Sequence, residues 1–257
     1  MKKLLCLAAW LALNTTLVPL QAQPGLPGGM GGIPGPRFDA SLARLFGENS
    51  GFTATIENQI EDKTMGVMSM PGKLAFLDGS SRFEMDLTKA RGGGIPAEAG
   101  EQMKAMGMDT MISITRPDKK VKYLVYPGLK AYAETPLTDA GIETPADKFK
   151  VEPVEQGKET VEGHPCVKNK VTVTDAQGRK QDFVVWNATD LKNFPIKIEQ
   201  KDGGTEMTST YKDVKLTKPA ASLFDPPSGY TKYDNIMSMM QQEMMKRMGG
   251  GFGQPGR

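Results

Sequence analysis

Two sets of side chains in this 257-residue chain are of types that do chemistry. His164, the one histidine, stands beside Pro165 and Cys166, bringing together the imidazole and thiol that a cysteine nucleophile and its base require. Separated by a single proline, the two side chains are too close along the backbone to be assumed to converge. No Gly-x-Ser-x-Gly elbow, phosphate loop or zinc-type His/Cys spacing occurs elsewhere. A turn residue and a small buried residue at a strand start describe His164 and Cys166 better. No catalytic residue is assigned, and neither an enzyme nor a cofactor is expected.

Methionine is the second set, with 17 in the chain. Met237, Met240, Met244 and Met248 recur at three- and four-residue spacing, which places them along one stripe of a helix. Thioethers are soft ligands that suit Cu(I), so the stripe is a candidate metal site. Methionine also packs adaptably against irregular apolar partners and lipids, and no histidine or cysteine accompanies the stripe. Packing or partner contact therefore outweighs copper. Paired acids such as Glu84 and Asp86 mark a solvated strand face. Arg82 and Arg116 could meet an anionic headgroup, but as exposed turn residues they need no such role.

The elements that must position these residues are mostly strands. From Val161 to Gly229, three β-rich runs are separated by Gly-containing turns, which predicts an antiparallel meander. Val167, Val171 and Val173 oppose Lys168, Lys170 and Thr172, so one face is wet. Phe183-Val-Val-Trp186 is apolar on both faces and needs cover on each. A second meander is predicted from Phe52 to Leu87, with Met65–Met70 and Lys73–Leu77 as separate strands joined by a Pro71-Gly72 turn. Further strands are expected at Met111–Thr115, Val121–Tyr126 and Lys130–Glu134, and a loop from Thr135 to Phe149 joins the two halves of one sheet. Short helices are expected from Asp39 or Ser41 to Phe46, with Leu42, Leu45 and Phe46 on one side, and from Ala97 to Met106. The segment Pro219–Tyr233 reads as an extended close packed on the end of the sheet.

Residues 1–22 have the charged, apolar and small-residue regions of a secretory signal peptide, so the mature chain is expected to begin near Gln23. Asn14-Thr15-Thr16 interrupts the apolar run and leaves it too short to cross a bilayer. Export to the periplasm, or beyond the cell, follows. Residues 23–36 read as a flexible Gly/Pro leader, 37–233 as the folded domain, and 234–257 as the Met-rich amphipathic helix with a Gly-rich tail. Lys2 and Lys3 account for the formal net charge of +2, which leaves no electrostatic footprint for nucleic acid once they are cleaved. Cleavage also removes Cys6, so Cys166 has no partner for an intramolecular disulfide. The sequon Asn187-Ala-Thr189 is read as a turn.

At Gly163-His-Pro-Cys166, Trp186-Asn-Ala-Thr-Asp-Leu191, Phe194-Pro-Ile-Lys-Ile198 and Phe224-Asp-Pro-Pro-Ser-Gly-Tyr230, the chain resembles uncharacterised exported domains. Those domains are similar to the periplasmic lipoprotein-carrier and outer-membrane lipoprotein-sorting superfamily. The resemblance spans roughly Phe52 to Tyr233 and is a rhythm of turns and glycines. It implies a mainly β fold with a few helices (α+β), a strongly curved antiparallel half-barrel with a helical lid and an apolar cavity. Met65, Val67, Met103, Met106, Tyr123 and Trp186 would then contact the ligand.

Three functions follow for testing. The first is a non-enzymatic envelope carrier holding a lipid or other apolar ligand in the concave face. The second is a Met-rich Cu(I)-binding protein. The third is a scaffold whose C-terminal helix docks an envelope protein or a membrane surface.

Overall fold

Alternation of apolar and polar residues decides the architecture, because each strand then has one face to hide. In the strand Gly51–Asp62 (β1), Phe52, Ala54, Ile56, Asn58 and Ile60 are buried while Thr55 and Gln59 are exposed. The computed structural model describes residues 40–64, 66–93, 98–137, 149–202 and 204–249. Residues 1–36, Asp39, Met65, most of the loop expected at 135–149, and the Gly-rich tail lie outside this set.

After β1 come β2 (Gly66–Leu77), β3 (Ser80–Asp86), β4 (Arg91–Gly92), β5 (Thr110–Arg116), β6 (Val121–Tyr126) and β7 (Ala131–Pro136). The second series is β8 (Lys150–Val161), β9 (His164–Thr174), β10 (Lys180–Ala188), β11 (Phe194–Asp202) and β12 (Thr205–Lys215), followed by the short β13 (Thr231–Tyr233). Among the described residues the α-helices that flank them are α1 (Ala40–Arg44), α2 (Ala99–Ala105) and α3 (Ile236–Gly249). Among the described residues the strands form one sheet in the order β13-β7-β6-β5-β3-β2-β1-β12-β11-β10-β9-β8, with β4 beside β2. It is a curved sheet that does not close into a barrel, the half-barrel expected from the sequence.

The two meanders join where β12 returns to lie antiparallel to β1, placing Ile56 opposite Tyr211 and Asn58 opposite Ser209. From β12 the chain crosses the outer face, where Phe224 caps a second apolar cluster of Ala75, Ile112, Ile114, Tyr123 and Val125. It then adds β13 parallel to β7. Arg116 holds this crossing segment through Asp225, at 2.7 Å, while also pairing with Asp118. Both edges are protected. β8 buries none of its twelve residues, but Pro153, a register shift between Glu155 and Gly157, and alternating charges blunt it. β13 lies beneath α3.

One prediction fails instructively. Pro71-Gly72 makes no turn; it lies within β2, with Pro71 opposite Glu57 and Gly72 opposite Ile56. On its other flank Pro71 falls between the reach of β4, which ends at Ser69, and that of β3, which starts at Gly72. A missing N–H is harmless there. Gly72 is required for contact rather than for turning, since a Cβ would sit 2.7 Å from the Glu84 carbonyl oxygen and 2.9 Å from the Phe83 ring.

Candidate functional site

The site is built on β1 and β12 at the centre of the sheet. Residues opposite each other share a face, so Phe52, Ile56, Asn58 and Ile60 line the same side as Tyr211, Ser209 and Met207, together with Leu74 and Phe76 of β2 and Ile198 of β11. The Phe46 ring, just after α1, lies 4.7 Å from Phe52, 5.3 Å from Phe194, 5.5 Å from Tyr211 and 6.2 Å from Phe76. On a flat sheet β2 and β11 would stand about 14 Å apart. One ring can touch both only because this face curls toward it, and it is therefore the concave one.

Leu42, Leu45 and Phe46 are all buried in this cluster, so the predicted one-sided helix is the element that plugs the concavity. α2 is held differently. It lies beside the Leu87–Lys89 turn, none of its residues is fully buried, and Met103 reaches the cluster only half-buried. Such a helix gains little from packing and can leave at low cost.

Polar groups within this greasy surface are few. Asn58 and Tyr211 are both 0% exposed. Ser209 donates its hydroxyl to Asn58 Oδ1 at 2.7 Å, whereas Asn58 Nδ2 and the Tyr211 hydroxyl have no hydrogen-bond partner among the described residues. Burial pushes the Tyr211 phenol far above its ordinary range, so it stays protonated and able to donate.

α3 clamps one end of the sheet. Met239 and Glu243 face inward; Tyr233 of β13 donates to the Glu243 carboxylate, and Lys246 donates to Glu243 at 2.7 Å and to the Tyr233 hydroxyl at 2.9 Å. Burial alone would raise the Glu243 carboxyl, but the hydrogen bonds from Lys246 and Tyr233 outweigh it and hold the group below its ordinary value. Arg247 reaches the carbonyl oxygens of Ala105 and Gly128, tying the end of α2 and the β6–β7 turn to the same helix. Gly107 and Gly128 approach so closely that a Cβ on Gly128 would sit 2.5 Å from the Gly107 carbonyl oxygen.

Of the six residues expected to contact a ligand, Met103 abuts the concave cluster, Met106 is half-buried, and Met65 lies outside the described residues. Val67 and Tyr123 stand apart from that cluster, whereas Trp186 is buried in it. Val67 is 57% exposed and alternates with the inward Met68, while Tyr123 belongs to the cluster under Phe224. Trp186 is buried in the same apolar cluster as Phe46, and it lies across from Lys168 and Lys197, whose ammonium groups stand 4.8 and 4.3 Å from its ring centroid. Its indole N–H donates to Glu159 at 2.6 Å. Strand parity was legible for Val67 and Tyr123, but which face would curl inward was not.

The Met stripe is divided by the packing of α3. Met237 is 75% exposed, Met240 and Met244 are half-buried, and Met239 takes the buried position; the side chain of Met248 lies outside the described residues. The helix thus docks on its own sheet through Met239 and Glu243, and the stripe lies to the side of that contact. Asn58 and Tyr211 were missed by sequence reading, although an asparagine at an inward position of an alternating strand was the available signal.

The remaining candidates resolve into structure. His164 Nδ1 contacts Asp190 at 2.8 Å, and the Cys166 thiol donates to the His164 carbonyl oxygen, so the pair is not arranged as nucleophile and base. Burial also pushes the Cys166 thiol up, against thiolate formation. Arg82 is paired with Glu84 at 3.0 Å. These two, with Lys73, Lys215 and Leu223, edge an outer-face cleft of 270 Å³.

No protein-family model matches the sequence, and no curated protein matches it. Among solved structures, the chain is similar to a LolA superfamily protein from Nitrosomonas europaea (8% identity, 72% of this chain and 94% of that one, TM-score 0.38). It is also similar to lipoprotein LppX from Mycobacterium tuberculosis (11%, 72% and 94%, TM-score 0.39). A third is an outer membrane lipoprotein-sorting protein domain from Vibrio parahaemolyticus (11%, 73% and 96%, TM-score 0.32). These neighbours include the superfamily that the turn rhythm resembles. Likeness at such scores assigns no function.

Proposed function

We propose that this chain is a non-enzymatic, exported binding or carrier protein that holds a lipid or other apolar ligand against the concave face of its sheet. One observation carries this reading: among the described residues, a wide apolar face is covered by a five-residue helix, α1, and by α2, which fully buries none of its residues. Most sheets of this size bury such a face under a second layer. Here an acyl chain could take the place of Leu42, Leu45 and Phe46, exchanging one set of apolar contacts for another at little net cost. Binding is then reversible burial, and α2 with Met103 and Met106 forms the displaceable part of the lid. Export follows from the signal-like residues 1–22, and no helix among the described residues is long and apolar enough to cross a membrane.

Native mass spectrometry of gently purified protein is the test. Co-purifying lipid, or uptake of a fluorescent fatty acid by delipidated protein, is expected. Protein that is ligand-free and rejects fluorescent fatty acids would overturn the carrier reading.

A further inference from the structure

Of the four buried side-chain atoms without a hydrogen-bond partner among the described residues, Arg44 Nε, Asn58 Nδ2 and Tyr211 Oη lie on the concave face or on the helix that covers it. All three can donate. The fourth, Thr174 Oγ1, lies at the far end of β9 in register with Lys150 and Lys180, on the opposite face. A buried group stripped of its partner is costly, and the isosteric alternatives, phenylalanine at 211 and leucine at 58, would carry no such penalty. Hydrophobic packing does not explain the amide and the phenol. They share a face of the β1–β12 pair, with Asn58 about 7 Å further along than the Ile56–Tyr211 position.

We propose that Asn58 and Tyr211 form a polar subsite that accepts a neutral carbonyl oxygen, so that the ligand is an acyl ester rather than a plain hydrocarbon. This rests on the carrier reading above and deepens it. Ser209 orients the amide by donating to Oδ1, which turns Nδ2 into the free end. The Tyr211 ring is fixed edge-on by Phe46 and Phe194, so displacing Phe46 with an acyl chain frees the hydroxyl's surroundings without moving its strand. A neutral acceptor suits the site, because desolvating a carboxylate among these aromatic rings would be far more costly than desolvating an ester. Neither donor changes chemistry; each fixes how deep the acyl chain sits.

The test compares methyl palmitate with hexadecane on the delipidated full chain, by displacement of a fluorescent acyl probe. Wild-type protein should prefer the ester. Tyr211→Phe, which keeps the ring contacts, and the double variant Asn58→Leu/Ser209→Ala, which leaves no orphan behind, should each weaken methyl palmitate about threefold to tenfold and leave hexadecane unchanged. Tyr211→Phe should also melt no lower than wild type in the ligand-free state, since it loses no hydrogen bond there. Unchanged ester binding in both variants, equal weakening of both probes, or a wild type that binds hexadecane as tightly as the ester would overturn the subsite alone. Failure of the wild type to bind either probe would overturn the carrier reading with it.

Discussion

Truncating Phe46 to alanine separates two things the plug does. The ring is 1% exposed and touches four other aromatic rings from four strands, so its loss removes about 180 Å² of buried apolar surface, worth about 4 kcal/mol. Core Phe→Ala changes fall in the same range, about 3–5 kcal/mol. For a domain of this size that corresponds to a melting temperature lower by about 8–16 °C. If the ring occupies space that an acyl chain takes on binding, the variant starts with that space open, and methyl palmitate should stabilise it more than it stabilises wild type. Paired calorimetric melts with and without the ester measure both effects. A melting temperature within 2 °C of wild type, the roughly 0.5–1 kcal/mol that such a shift represents, would refute the packing argument. Ligand stabilisation smaller than in wild type would show the ring to be a ligand contact and not its stand-in.

Three further outcomes test other parts of the structure. The Glu243 carboxyl is held below its ordinary value when folded, so its contribution to stability is present above the unfolded value of about 4.5 and is lost as pH falls through the lower folded one. Melts from pH 7 to pH 3 should therefore fall more steeply for wild type than for Glu243→Gln, and parallel curves would remove the Tyr233–Glu243–Lys246 cluster from the acid response. Gly107→Ala forces a Cβ to 2.8 Å from the Gly128 carbonyl oxygen at a backbone φ of +68, and urea melts should show a loss of about 1–3 kcal/mol. A change below about 0.5 kcal/mol would show that the contact between the α2–β5 and β6–β7 connections is loose. Trp186 is buried in the Phe46 cluster, so in a chain beginning at Gln23 its fluorescence maximum should shift when methyl palmitate binds; an unchanged maximum would place the ligand away from that cluster.

Much of the architecture was legible because local alternation reports which residues share a face. The strands from Phe52 onward, the short helix bearing Leu42, Leu45 and Phe46, and the antiparallel pairing within each half all follow from period-two and one-sided patterns. Pro71-Gly72 misled because turn chemistry and close backbone approach use the same residues, and only the neighbouring strands distinguish them. For the site, Met103 and Trp186 both reach the Phe46 cluster, but Tyr123, put forward on hydrophobicity, packs under Phe224 instead. An aromatic residue is equally well hidden by Phe224 on the outside.

By itself the sequence determined a chain of amphipathic strands with more apolar surface than its few helices can easily cover, because apolar periodicity is written residue by residue. It could not determine which face would close on itself. That depends on β12 returning to β1 across some 150 residues, as in the contact of Ser209 with Asn58, and on the curvature this pairing produces. Only then do Asn58 and Tyr211, unremarkable in their own strands, come to lie together among aromatic rings with hydrogens to donate and, among the described residues, no protein atom to receive them.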